Sequence, residues 1–304
     1  MKIKNITIVG GTHGNEFSGP YLLNLIENRT PFSNYSTFKL NLLLSNPKAY
    51  ENNVRFVDYD LNRSFFSNDL SNYSLGSYEA NRAKAINQLL GPKGNPKTDL
   101  IIDIHTTTAN MGVSIILVNR NLFNLKLASY IQSKIANAFI YYIGPTSFSD
   151  GSDHPYLSSL AKYGFVLELG PIPNGVVRHD ILMQAFNATL ACFEFIEKTN
   201  KKSKITIAEE IEVYEHVKVV EFPLNSSGKI DAFVHKNLQD MDYKPLKKGA
   251  PVFEKMDGTV ILNREDELYY PVFINEAAYY YKNVAFSLTK KKKINSKQMA
   301  LTAV

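Results

Sequence analysis

Among 304 residues there is one cysteine, Cys192, and no tryptophan. A single thiol can build neither an internal disulfide framework nor a cysteine-rich zinc module, so both are excluded. No stretch approaches the roughly 18 uninterrupted apolar residues of a membrane span. Met1-Lys2-Ile3-Lys4-Asn5 lacks the long apolar segment of a secretory signal, so a cytoplasmic location without membrane contact is expected. Surplus charge is also scarce. Lysine and arginine total 34 against 29 acidic residues, a net charge of +5. Lys290, Lys291, Lys292, Lys293 and Lys297 account for all of that excess. A nucleic-acid binder spreads basic residues over a face with aromatics among them, so no nucleic-acid partner is expected.

What is present reads as α/β. Ile3 to Val9 is a β-branched run ending at Gly10-Gly11, and Gly19 to Ile26 has helical apolar spacing. Further strands are expected at Phe38 to Leu44, Leu100 to Ile104, Val113 to Val118 and Phe165 to Leu169, with helices at Tyr78 to Leu90 and Ile181 to Ile196. Strands alternating with helices imply a largely parallel sheet covered on both faces. The alternation stops at the polar stretch Lys198 to Lys204, which reads as a linker. Beyond it, short segments such as Ile211 to Val220, Gly228 to Val234, Thr259 to Leu262 and Tyr269 to Ile274 read as a smaller antiparallel β domain. The lysine-rich end, 290–304, reads as a solvated, disordered tail.

His13-Gly14-Asn15-Glu16 follows the first strand and can present an imidazole and a carboxylate to one metal ion. The glycines around it let the backbone turn sharply and leave the site open. His105, at the end of the Leu100 to Ile104 run, is the third candidate ligand, because sites in open α/β sheets form beyond the carboxyl ends of strands. Two histidines, one carboxylate and an open position suit catalytic zinc. Asp103 lies on the same strand face as His105 and could orient a ligand. Glu168 sits inside the apolar strand Gly164 to Leu169, where burial would raise its pKa and make it a general base for water. Arg55, Asn62 and Arg63 share a loop-like stretch with Asp58 and Asp60; the plainer reading of these arginines is solvated charges paired with those acids.

Taken together, Gly10 to Glu16, Asp60-Leu61-Asn62-Arg63, Asp103 to Gly112, Glu168-Leu169-Gly170-Pro171 and Asn275 to Tyr280 resemble the aspartoacylase branch of the succinylglutamate desuccinylase/aspartoacylase family, in the family's order. The resemblance implies a zinc-carboxypeptidase-like catalytic domain, 1–204, with a mixed sheet flanked by helices. It implies next a β domain, 205–289, partly covering the active site. His13, Glu16 and His105 would bind one Zn²⁺, Glu168 would activate water and Arg55 would polarise the scissile carbonyl. Asn62, Arg63 and Tyr279 would hold the substrate carboxylate. The implied reaction is hydrolysis of an N-acyl amino acid, typified by N-acetyl-L-aspartate, and a homodimer is compatible with the resemblance. Ser158 departs from the pattern: aspartate-specific relatives carry an arginine there, and no arginine lies between Arg120 and Arg178. N-acetyl aromatic or cysteine-conjugate amino acids are therefore the alternative substrates, with His154 a conceivable substitute for the missing cation. Two readings of other classes are a phosphate-binding glycine turn, which lacks the G-x-G-x-x-G and G-K-[ST] spacings, and a catalytically silent scaffold.

Overall fold

The computed structural model describes residues 2–30, 32–118, 121–144 and 153–295. The elements run β1 (Asn5–Gly10), α1 (Ser18–Arg29), β2 (Lys39–Leu44), α2 (Pro47–Glu51), α3 (Ser67–Ser71), α4 (Tyr78–Leu90), β3 (Leu100–Thr106) and β4 (Gly112–Leu117). They continue with α5 (Leu122–Lys134), β5 (Ala138–Tyr142), β6 (Tyr163–Gly170), α6 (His179–Asn200) and β7 (Glu210–Glu221). The last are β8 (Ala232–Val234), β9 (Pro251–Lys255), β10 (Val260–Leu262), β11 (Tyr270–Val272) and β12 (Val284–Asn295). Among the described residues these build a nine-stranded mixed sheet, β11-β12-β7-β5-β4-β6-β3-β1-β2, and a three-stranded antiparallel sheet, β10-β9-β8.

Strand periodicity decides what each face does. Successive side chains of a strand point to opposite faces. Ile6, Ile8, Ile102, Ile104, Phe165 and Leu167 therefore face one way, into the core that Phe193 and Ile196 of α6 complete. The intervening positions Val9 and Ile101 face the other way, against Ala83 and Ile86 of α4. Asp103, His105 and Glu168 keep step with Ile101 and Val166 and so share that second face. Both faces of β1, β3 and β6 are buried, which is why their sequences are nearly continuous apolar runs.

Three features depart from the sequence reading. The helix α5 and strand β5 were not expected. Eight residues of α5 are buried, so it lacks the one-sided apolar stripe by which a helix is recognised. The supposed linker begins later, because α6 continues through Asn200. The Asn200 amide accepts from Ile3 N (2.8 Å) and donates to Ile3 O (2.6 Å), and Lys198 pairs with Glu194 one turn back. The lysine run is not a disordered tail as far as Asn295: Lys290 to Lys293 lie in β12, antiparallel to β7. Lys291, Lys292 and Lys293 reach diagonally to Glu212 (3.3 Å), Glu215 (2.5 Å) and Glu210 (2.8 Å), while Lys290 meets Glu267 (2.5 Å). Lys297 and the rest of the end, 296–304, lie outside the described residues. No described helix is long and apolar enough to cross a membrane.

Candidate active site

β1 delivers the first two candidate ligands through a glycine turn. Gly11 takes φ +70°, a region that disfavours side chains, and the chain then folds onto α2 so closely that a Cβ on Gly14 would meet the Ala49 carbonyl carbon at 2.1 Å. Backbone bonds fix the turn: Asn46 N donates to Gly11 O (3.2 Å) and Gly14 N to Arg55 O (3.1 Å). His13 and Glu16 are thereby buried side by side, and β3 brings His105 from the neighbouring strand.

These three side chains converge, with candidate ligand atoms all within 4.8 Å of one another. Nδ1 of His13 lies 2.6 Å from Glu16 Oε1, and Nδ1 of His105 lies 3.0 Å from Glu16 Oε2 and 3.1 Å from the other Nδ1. Each ring's far nitrogen is engaged by a different carboxylate: His13 Nε2 by Asp60 Oδ1 and His105 Nε2 by Asp103 Oδ2, both at 3.0 Å. A carboxylate behind each imidazole fixes its ring and frees its inner nitrogen for a cation, so the donor set fits a divalent ion such as zinc. Burial pushes the Glu16 carboxyl up, but the adjacent His13 and His105 outweigh it and hold the group well below the usual range.

Glu168 stands opposite His105 in the β3–β6 register. Burial, opposed by His105 and reinforced by Glu16 and Glu276, lifts its pKa to about 8. Arg55 sits 3.2 Å from Glu16 and 3.6 Å from Asp60, and its Nε is buried without a partner among the described residues. Arg63 lies over the Tyr156 ring at 5.0 Å and donates to Asn62 O (2.9 Å), but has no carboxylate partner among the described residues. The Tyr279 hydroxyl likewise has no hydrogen-bond partner there; its ring meets Phe273 edge to face at 5.5 Å. All eight candidate residues line one cavity of about 340 Å³.

Some assignments change. Among the described residues Asp58 does not pair with an arginine; it accepts from Tyr78 N at the start of α4 (2.7 Å). Asp60, read as an arginine partner, also secures His13. The Asn62 amide is largely engaged, accepting from Leu157 N (3.0 Å) and lying 3.3 Å from His105 Nε2. His154 and Ser158 line a neighbouring space of about 150 Å³ that shares Val118 with this cavity. The sequence reading gave no role to Glu276. It accepts from Thr107 Oγ1, Thr108 N (2.7 Å) and Ala278 N (2.9 Å), clamping the Tyr279 segment to the loop after His105. A carboxylate three residues before the candidate Tyr279 was the available signal.

Comparison with known proteins places the chain in a family over most of its length. Residues 2–196 match the succinylglutamate desuccinylase/aspartoacylase catalytic domain and residues 209–291 the AstE/AspA barrel-sandwich hybrid domain. A Trichodesmium erythraeum protein named "Probable aspartoacylase" is 44% identical over 96% of this chain and 99% of its own. An N-acyl-aromatic-L-amino acid amidohydrolase (carboxylate-forming) of Xenopus laevis is 40% identical over 95% of each chain. The crystal structure of murine aminoacylase 3 superposes with a TM-score of 0.88 at 36% identity, covering 97% of this chain and 98% of that one.

Proposed function

The chain belongs to the succinylglutamate desuccinylase/aspartoacylase family, and from that premise we propose that it is a zinc-dependent amidohydrolase cleaving N-acyl amino acids to a carboxylate and the free amino acid. The observation that carries the reading is the convergence of His13, Glu16 and His105 beside a buried Glu168. Zinc held by those three residues would supply a Lewis acid and lower the pKa of water to about 7. Glu168, its pKa raised by burial to about 8, accepts the water proton when ionised and passes it to the amide nitrogen that leaves. Arg55 donates its guanidinium N–H groups to the carbonyl oxygen as negative charge develops. Arg63, charged and in no close ion pair among the described residues, receives the substrate carboxylate with help from the Tyr279 hydroxyl and the Asn62 amide.

For the substrate we place N-acetyl-L-aspartate first, with Lys282, on the cavity wall among the described residues, as a cation for a side-chain carboxylate. A second reading, N-acyl aromatic amino acids, is favoured by one observation: away from the metal end the wall is largely apolar, with Ile116, Val118, Ile143, Val166 and Phe273. Zinc content and steady-state turnover of both substrate classes test the proposal together. We expect about one zinc per chain, lost in His105→Ala, and a preference of at least about tenfold in kcat/KM for one class. A folded protein that binds no zinc and turns over neither class would overturn it.

A further inference from the structure

Glu79 is fully buried in the first turn of α4, and no lysine, arginine or histidine forms an ion pair with it among the described residues. Its carboxylate is instead surrounded by amide donors. Oε1 accepts from Val57 N (2.6 Å) and Asn46 Nδ2 (3.2 Å), and Oε2 accepts from Asp58 N (3.0 Å) and Tyr59 N (3.1 Å). Three consecutive backbone N–H groups thus close on one buried anion, an arrangement that holds an irregular segment in a single conformation. The loop returns the contact, because Asp58 accepts from Tyr78 N of the same helix (2.7 Å).

The residues on either side of the anchored segment belong to the site. Two positions before Val57 is Arg55, whose carbonyl accepts from Gly14 N in the turn carrying His13 (3.1 Å). One position after Tyr59 is Asp60, which lies 3.0 Å from His13 Nε2. Asn46, the fourth donor to Glu79, gives its own N–H to Gly11 O (3.2 Å). One carboxylate outside the cavity therefore ties together the glycine turn, the arginine loop and the carboxylate that orients a candidate ligand.

We propose that Glu79 is a positioning residue for the metal site, setting Asp60 behind His13 and Arg55 in front of the substrate carbonyl by gathering the amides of Val57, Asp58 and Tyr59. The inference rests on the hydrolase reading for Arg55, but not for Asp60 and His13, whose test needs no turnover. Zinc titration of the metal-stripped protein should give a Glu79→Gln dissociation constant about tenfold or more weaker, the range for loss of support behind a ligand. In kinetics, Glu79→Gln should lower kcat more than it changes KM, and the loss should shrink when Arg55→Ala is already present, because the two act along one path. Glu79→Asp, which keeps the charge on a shorter stem, should recover part of both effects and serves as the test variant if Glu79→Gln does not fold. Unchanged zinc affinity in a folded variant overturns the proposal even if the chain proves not to be a hydrolase. So does a kinetic loss of equal factor in both backgrounds.

Discussion

Asp60, Asp103 and Glu16 are buried against His13 and His105, whereas Glu210, Glu212 and Glu215 stand on the β7–β12 ribbon against a run of lysines. Both regions bring carboxylate oxygens within 2.5–3.3 Å of side-chain nitrogens, so distance does not distinguish them. Solvent does. Beside the cavity each carboxylate has lost water and stands against an imidazole, with Arg55 next to Glu16 and Asp60. On the ribbon the lysines keep much of their hydration and the pairs are screened. The lesson is that the number of ion pairs says little about function, while the desolvation of a converging set says a great deal.

The sharpest way to break the comparison is at Arg55, the cation between the two buried acids. Arg55→Ala should lower kcat by about a hundredfold or more through loss of an oxyanion donor, a larger effect than its disturbance of folding. Turnover retained at saturating substrate removes Arg55 from that role.

Asp242 gives an intermediate test, since it is a buried acid with no cationic partner among the described residues. Its carboxylate accepts from Asn110 N (3.2 Å) and Ile274 N (3.1 Å), yet burial outweighs these bonds and lifts its pKa from 3.8 to about 7. A carboxyl raised in the folded state binds its proton more tightly there, so its contribution to stability is largest at low pH and declines as pH rises from about 4 to about 7. Thermal melts across that interval should show a decline that Asp242→Asn flattens; equal slopes for both proteins refute the assignment. The smallest effect belongs to the ribbon. Replacing Lys291 and Lys293 together by alanine should shift the melting temperature by about 2 °C or less and leave kinetics untouched, and a larger shift would show the ladder to be more than a solvated face.

Much of the catalytic end was legible because its signals are local. A β-branched run, a glycine turn and a His-x-x-Glu spacing place His13 and Glu16 without knowledge of the rest, and the period of two along β3 puts Asp103 and His105 on one face. Where partners are distant, the reading was incomplete. Asp60 does pair with Arg55, as its place beside the arginines suggested, but its His13 contact spans 47 positions and was not foreseen. Glu276 was left without a role because its partners, Thr107 and Thr108, lie about 170 positions away. The lysine run was misjudged for the same reason, since nothing within it announces the glutamates of β7. The helix α5 was lost for a different one, being apolar on too many sides to show a period.

Strand β7 is hydrogen-bonded in parallel to β5, through Ile140↔Val213, Tyr141↔Tyr214 and Tyr142↔Glu215, so the sheet runs without a break from the region carrying the candidate ligands into the C-terminal one. A protein cut between α6 and β7 would bare the outer margin of β5, a line of unmet amides and carbonyls beside Tyr141, and such margins recruit foreign strands. The seam between the two halves is thus a shared backbone ladder, and a fragment ending before it bares a strand edge that the whole chain covers.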